Sequence, residues 1–352
     1  MREMARTLSP GAGRGAHNFA TVASLCSNSA ASRAGEPLLV FYGSHAPLYA
    51  PAENEREMGE FGLQVVGSEE SVGEIVLLKT LSAILTEWGA SIARVRVNAL
   101  GDKDSKMRFA RELSVYLRKH AAELDDECRQ MLADNPLAAL TCQVQVAREV
   151  IENGPRAVNF LSEKSRLHFK QVLEHLEQVG LPYELDDTLV GDEREPRVMF
   201  AVDLLGEDAV IHTTHGGRFD DHVRSLTHRK DATTIAASIF FRKKGLSAGA
   251  FSLSGPEHRP KIYFVQLGMH AKLHGLRVLD LLRQARMPVL QSFDSSRLSP
   301  QLEAARGAGV SHLLILGQRE VLDGTVIVRT MDNSSQTIVE LQHLPRFLKT
   351  LE

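Results

Sequence analysis

Apolar and polar positions change their period several times along the chain, and each change predicts an element. LLVFY (38–42) and the alternating FGLQVVG (61–67) predict two strands. Residues 69–89 place apolar side chains at helical spacing and end at a glycine, so we expect a helix there. In IARVRVNALGD, which follows, apolar residues alternate with Arg94 and Arg96. This predicts a strand with one side turned to water or to a ligand.

The middle of the chain combines a charged helical block with further strands. Residues 103–152 are helical in pattern and are broken at Asn135-Pro136, which predicts an insertion between core elements. A helix over 162–178 precedes one strand that ends at Leu204 and another in AVIHTT. ATTIAASIFF is apolar with β-branched residues in its first part, and its periodicity leaves open a central strand or the start of a buried helix. Hairpins instead of regular βαβ units predict a mainly antiparallel α+β sheet.

In the last hundred residues, the predicted strands alternate with helices. GTVIVRT and QTIVEL predict a hairpin, and KIYFVQLG, PVLQSF and HLLILG predict strands that alternate with helices. One of these helices is expected to begin with Ser299 as N-cap and Pro300 at the first helical position. The sequence therefore predicts an α/β domain with a largely parallel sheet over 258–352.

The predicted domain boundaries follow from these patterns. Residues 37–250 are expected to form the first core, and a stretch with Ser, Gly and two prolines at 245–260 predicts a linker. Residues 1–36 are rich in Ser, Ala, Gly and Arg. They predict a disordered tail, with an organellar transit segment as the alternative.

Composition adds several exclusions. A net charge of -3 gives no overall attraction to polyanions, so nucleic-acid binding would need a local basic patch. No apolar run reaches the ~18 residues of a membrane span, and we expect the cytoplasm, with an organellar matrix as the alternative. The three cysteines form no CxxC pair, so Cys128 and Cys142 are expected to be buried free thiols. His212 and His215 would point to opposite faces of a strand, and no metal site is expected.

Six segments in order resemble histidyl-tRNA synthetase, a class II aminoacyl-tRNA synthetase family, over nearly the whole chain after residue 50. They are REMGEFGLQVVGSE (56–69), RVNALGD (96–102), NPLAALTC (135–142), LSEKSRLHFKQVLEHLEQVGLPYELDDTLV (161–190), GGRFD (216–220) and AARGAGVSHLLILGQREVLDGTVIVR (304–329). The resemblance implies a class II synthetase-like antiparallel sheet core with a helical insertion, followed by a C-terminal α/β anticodon-binding-like domain.

The chain departs from the family where the chemistry would take place. The family's RGLDYYTGTVFE, which supplies an arginine to the activated phosphate, stands where this chain has GDEREPRVMFAV. The motif 2 arginine falls at Ala46 or Pro47. Motif 3, GxERL in the family, keeps Arg242 but places Ile239 and Phe241 at the glycine and the glutamate. We therefore expect these two bulky side chains to fill the space that ATP needs.

Some site positions are retained. Arg56 and Glu57 match the motif 2 loop that guides the acceptor end of tRNA, although a solvated surface pair is the alternative. With Arg242, they are the catalytic remnants that the resemblance implies. Glu60 and Gln64 exchange the two residue types that surround the amino-acid ammonium group in the family, which leaves room for an amine ligand.

The GGRFD segment supplies a second group of ligand-binding candidates. Gly216 and Gly217 could hold the backbone close to a ligand beside Arg218. The alternative is a tight strand-to-helix turn that requires a positive φ.

The expected function is a synthetase-like protein without aminoacylation activity that binds tRNA, another RNA or a protein partner, either a second copy or a synthetase. No cofactor is expected in that case. The first alternative is a working histidine-tRNA ligase, which would use ATP, magnesium and histidine. The second is a regulatory subunit of a histidine-pathway enzyme, and the C-terminal domain counts against it because such subunits typically lack it.

Overall fold

The structure is a computed structural model. It describes residues 37–44, 58–142, 144–190, 196–205, 211–242, 260–292, 295–332 and 335–351. The chain divides into two compact units, the second of which begins after residue 246 and also takes in 177–180. The predicted tail at 1–36 and nearly all of the predicted linker lie outside the described residues.

The first unit is built on a seven-stranded sheet with the order β1-β2-β7-β6-β5-β3-β4. The strands are β1 Leu38–Ser44, β2 Met58–Val66, β3 Ile92–Ala99, β4 Tyr183–Leu185, β5 Val198–Leu204, β6 Ile211–Arg218 and β7 Thr234–Arg242. Among the described strand pairs of this sheet, only β3–β4 is parallel. The predicted mainly antiparallel sheet is therefore confirmed, and ATTIAASIFF is the central strand β7.

The two faces of this sheet differ in cover. Helix α1 (Val72–Glu87) packs on β2 and β7, so closely that a Cβ on Gly73 would lie 2.3 Å from the Cδ1 of Ile235. Since side chains alternate along a strand, every second residue of β7 from Ile235 lies on this helix-covered face. The opposite face, here called the polar face, carries Glu60, Gln64, His215, Ser238 and Phe240 in paired register.

A helical insertion follows β3, as the sequence predicts. Its helices are α2 Lys103–Lys119, α3 Asp126–Asp134 and α4 Gln145–Glu152. Asp102 and Asp125 begin the first two by accepting hydrogen bonds from backbone N–H groups three residues on. The insertion has an apolar core of its own around Phe109, Leu113 and Leu117. Two more helices complete the unit: α5 Glu163–Gln178 and α6 Asp220–Thr227.

The second unit is a five-stranded sheet with helices, in the order β12-β11-β10-β8-β9. Its elements are β8 Ile262–Gln266, α7 Met269–Gln284, β9 Val289–Gln291, α8 Leu298–Ala308, β10 His312–Leu316, α9 Gln318–Asp323, β11 Thr325–Thr330, β12 Gln336–Glu340 and α10 Leu344–Leu348. Strand β8 is parallel to β9 and β10, whereas β11 and β12 run antiparallel to their neighbours.

One helix start in this unit differs from the prediction. Helix α8 begins at Leu298 with Arg297 at the N-cap, so Ser299 is not the capping residue. The buried Gln301 donates to the Arg297 carbonyl at 3.0 Å and is itself held by the backbone of Gln266. This tertiary contact fixes the first turn in place of a local side-chain cap.

Candidate functional site

The polar face of the first sheet brings together two residues that the sequence singles out. The Glu60 carboxylate accepts a hydrogen bond of 2.6 Å from the Ser238 hydroxyl on the neighbouring strand. Gln64 is 1% exposed, and neither its amide oxygen nor its amide nitrogen has a hydrogen-bond partner among the described residues. A buried amide without partners costs free energy, so it is a place where a polar ligand would be stabilised.

At the other end of the same face, the arginines of β3 are already paired. Arg94 donates to Asp203 at 2.8 Å and to Glu184 at 2.7 Å, and Arg96 donates to Asp203 and Asp186. Burial opposes the charged form of Asp203, but the hydrogen bonds and charges of the two arginines outweigh it and lower its pKa. The positive charge on this strand is therefore balanced by neighbouring carboxylates.

The centre of the polar face holds an aromatic pair. Phe240 stacks on His215 with 5.0 Å between the ring centroids. The register puts Ile239 and Phe241 on the helix-covered face, where the Phe241 ring lies over Gly59. That they fill a nucleotide space stays a prediction. Phe240, which the sequence did not single out, is the bulky residue of β7 that faces the other way.

Gly216 and Gly217 lie within β6, and neither has a positive φ, so the predicted tight turn is not the reason for these glycines. A Cβ on Gly216 would lie 2.4 Å from the Ala236 carbonyl oxygen and 2.6 Å from the ring of Phe200. A Cβ on Gly217 would lie 2.5 Å from the Val198 carbonyl oxygen. The two glycines are required because the neighbouring strands approach too closely for a side chain.

Arg218 is buried and paired on the helix-covered face. Its guanidinium donates to both carboxylate oxygens of Glu74 at 2.7 and 2.8 Å and to the backbone carbonyls of Ser68 and Glu70. Burial alone would raise the pKa of Glu74, but Arg218, together with His168, lowers it to about 2. Glu74 gave no signal in the sequence, because an acid in the first turn of a helix is ordinary.

Several predicted site residues cannot be placed on either face. Arg56 and Glu57 lie outside the described residues, as do Ala46, Pro47 and residues 191–195. Arg242 ends β7 and its backbone pairs with Met58. Its side chain is not among those that the structure describes.

The prediction of free thiols at Cys128 and Cys142 is wrong. The two sulfur atoms are bonded as a disulfide inside the helical insertion, and the two Cα atoms are 5.8 Å apart, within the range that a disulfide requires. The Cys128 sulfur also lies 3.5 Å from a carboxylate oxygen of Asp125. The sequence gave no local signal, because the two residues are 14 positions apart and meet only through the packing of α3.

Known proteins match this chain over most of its length. A family model described as "Anticodon binding domain" matches residues 261–351. A histidine--tRNA ligase of Chlorobium phaeobacteroides is 28% identical over 306 residues, which are 83% of this chain and 68% of that protein. One from Staphylococcus carnosus is 22% identical over 339 residues, 94% of this chain and 78% of that protein.

Solved structures align as well. The apo histidyl-tRNA synthetase of S. aureus aligns with a TM-score of 0.45 and 20% identity, over 93% of this chain and 81% of that chain. A Bacillus halodurans C protein described as an ATP phosphoribosyltransferase regulatory subunit/histidyl-tRNA synthetase aligns with a TM-score of 0.41 and 18% identity, over 84% and 77%.

The mainly antiparallel sheet with its helical insertion, followed by a domain that matches the anticodon-binding family, resembles the class II synthetase fold. The anticodon-binding match and the histidine--tRNA ligase relatives at 22–28% identity support a divergent histidyl-tRNA synthetase-like chain. None of the helices in the described part of the chain combines the length and apolar character that a bilayer crossing requires.

Proposed function

We propose that this protein binds tRNA through its C-terminal domain and does not aminoacylate it. Adenylate formation depends on positioned positive charge around the phosphates. The observation that carries the proposal is that the arginines of the polar face are neutralised by carboxylates of the protein itself. Arg94 and Arg96 are held there by the carboxylates of Asp203, Glu184 and Asp186, at hydrogen-bond distances of 2.7 to 2.9 Å.

The aromatic pair supports the same conclusion. Phe240 and His215 stack at the centre of the face on which Glu60 and Gln64 lie. Phe240 is 3% exposed, so its ring occupies space that a nucleotide base would otherwise use on this side of β7. A stacked pair at this place favours a smaller ligand over ATP.

RNA binding is supported by the second unit. Residues 261–351 match the anticodon-binding family. On β11 and β12, one side of the hairpin carries Ile327, Arg329, Gln336 and the 68% exposed Ile338 in paired register, while Val326, Val328 and Val339 turn into the core. A sheet face with an arginine and exposed apolar side chains suits contact with phosphates and unstacked bases.

Retention of a small amine ligand is a further part of the proposal. Glu60 offers a carboxylate, and Gln64 offers an unpaired donor and an unpaired acceptor on the same strand, four residues away. Replacement of Gln64 by leucine removes a buried, unsatisfied amide. The unliganded Gln64→Leu protein is therefore expected to be as stable as the wild type or more stable. The same variant should lose any thermal shift that histidine produces in the wild type.

Two assays run side by side test the proposal. Fluorescence anisotropy with a labelled histidine tRNA transcript should give binding that weakens linearly in log Kd against log salt. Arg329→Gln should weaken it, whereas Arg319→Gln, on α9 and 86% exposed, is the matched control. In parallel, pyrophosphate exchange with ATP, magnesium and histidine should stay at background. Exchange above background would instead show histidine-tRNA ligase activity. An unchanged Kd for tRNA in Arg329→Gln would show that the β11–β12 hairpin does not contact the RNA.

A further inference from the structure

A second polar site lies away from the polar face. A cavity of about 100 Å³ opens between the first turn of α5, the start of β5 and the residues around α6. Lys164, Arg197 and Arg224 line it together with the hydroxyl residues Ser165 and Thr233. None of these five residues is part of the ligand-binding set on the polar face.

Two of the lining groups are donors without acceptors. Thr233 is 1% exposed, and its hydroxyl has no hydrogen-bond partner among the described residues. The Nε of Arg224 is buried and equally without an acceptor. The terminal nitrogens of Arg224 lie 3.8 Å from Asp221 and 4.0 Å from Asp220, which is beyond hydrogen-bond distance. Buried donors in this state are stabilised by an acceptor that enters the cavity.

The charges around the cavity divide into paired and unpaired ones. Arg197 donates to Asp221 at 3.0 Å, and Arg218 is held by Glu74, so these cations are largely balanced. The Lys164 ammonium makes no hydrogen bond or ion pair within the described part of the chain, and it sits in the first turn of α5, where the helix dipole favours an anion.

Carboxylates also border the cavity and weigh against an anion. Glu69 is exposed, so water screens its charge. Asp220 is buried, and its oxygen accepts from the backbone N–H of Thr234 at 3.1 Å. Burial raises the pKa of Asp220, although the charges of Arg218, Arg197 and Arg224 act in the opposite direction. Arg224 lies within ion-pair distance of Asp220 and Asp221, and the exposed Lys164 is screened by water as Glu69 is. The groups that most favour an anion are therefore the buried donors without acceptors, the Arg224 Nε and the Thr233 hydroxyl.

We infer that this cavity binds a tetrahedral oxyanion, the phosphate ion or the phosphoryl group of a small monoester, through Lys164, Arg224 and the Thr233 hydroxyl. The size is consistent with this class, since a cavity of about 100 Å³ admits a single phosphoryl-sized group. Titration with inorganic phosphate and with methyl phosphate distinguishes the free ion from the monoester. Only the ester needs an opening from the cavity to solvent for its methyl group.

The test is isothermal titration of the full chain with inorganic phosphate, with thermal shift as a second readout. Sodium chloride and acetate at equal ionic strength serve as controls. Wild type should bind phosphate, whereas Arg224→Gln and Thr233→Val should each weaken binding at least about tenfold, the effect of losing one charge-assisted or buried hydrogen bond. Lys170→Gln, on the outer part of the same helix α5, should bind like wild type.

The Thr233→Val variant separates a binding role from a structural one. Valine has the shape of threonine without the hydroxyl, so removal of an unsatisfied buried group should leave stability unchanged or raise it while phosphate affinity falls. Wild-type affinity in this variant, or a phosphate response in wild type no larger than that of chloride, would overturn the inference. Phosphate binding with no binding of methyl phosphate would assign the site to the free ion.

Discussion

Arg218 and Glu74 lie 144 positions apart in the chain and form a two-point ion pair, with both hydrogen bonds at 2.7 to 2.8 Å. Their side chains are 3% and 0% exposed. The pair joins the end of β6 to the first turn of α1 on the helix-covered face. Arg218 therefore holds the sheet to α1. Its hydrogen-bond donors are already used by Glu74 and by backbone carbonyls in the protein without ligand.

Loss of either partner should destabilise the fold strongly. Arg218→Ala leaves the buried Glu74 carboxylate with His168 in place of a guanidinium counter-ion, and we expect a loss of about 3–5 kcal/mol in the free energy of unfolding. Urea unfolding followed by circular dichroism measures it. Arg319→Ala, which breaks an exposed pair with Asp323, should change stability by less than about 1 kcal/mol. A small effect of Arg218→Ala would show that the pair does not join the two elements.

The same pair predicts a pH dependence. The pKa of Glu74 falls from 4.5 to about 2 in the folded protein, so its contribution is fully present above pH 4.5 and is lost as the pH falls toward 2. Asp186, Asp203 and Asp221 also have lowered pKa values and act in the same direction.

Urea unfolding at pH 5, 4 and 3 isolates the Glu74 part of this dependence. Glu74→Gln should be less stable than the wild type at pH 5, and its stability should fall less steeply toward pH 3 because it lacks this titration. Parallel curves for the two proteins would contradict the assignment of the low pKa to Glu74.

Local patterns predicted the elements well but could not place β7 side chains on a face. ATTIAASIFF is apolar on both sides, as a central strand is, so its sequence contains no alternation that could separate Ile239 from Phe240. Only the pairing of Glu60 with Phe240, 180 positions later, fixes the face. The resemblance aligned Ile239 and Phe241 with motif 3 but could not say on which face of the sheet their side chains lie.

Glu60 and Gln64 were selected from the family resemblance. The predicted strand covered only 61–67, whereas the observed strand Met58–Val66 includes both residues and, since they are four positions apart, puts them on one face. The Arg218–Glu74 and Cys128–Cys142 pairs depend on contacts between different elements. Sequence spacing contains no information on such contacts, and both were missed for that reason.

The glycines of β6 allow a steric test. Gly216→Ala would put a methyl group 2.4 Å from a backbone carbonyl oxygen that cannot move without disturbing β7, so a loss of about 1–3 kcal/mol or more is expected. Gly307→Ala is the matched control, because Gly307 lies in α8 and a Cβ there meets nothing within 4 Å. That change should stabilise by about 0.5–1 kcal/mol. Equal unfolding midpoints for the two variants would refute the strand-crowding explanation.

Thiol labelling and reduction test the Cys128–Cys142 disulfide. Thiol labelling of the denatured, unreduced protein should modify Cys26 alone among the three cysteines, because Cys128 and Cys142 are bonded to each other. Closure of a loop of this length stabilises by about 3 kcal/mol in the chain-entropy model, so reduction should lower the unfolding midpoint. Cys142→Ser should unfold at the midpoint of the reduced wild type and should not respond to reductant. Three labelled thiols in protein purified without reductant would mean that the bond does not form, and the helical insertion would then rely on its apolar core alone.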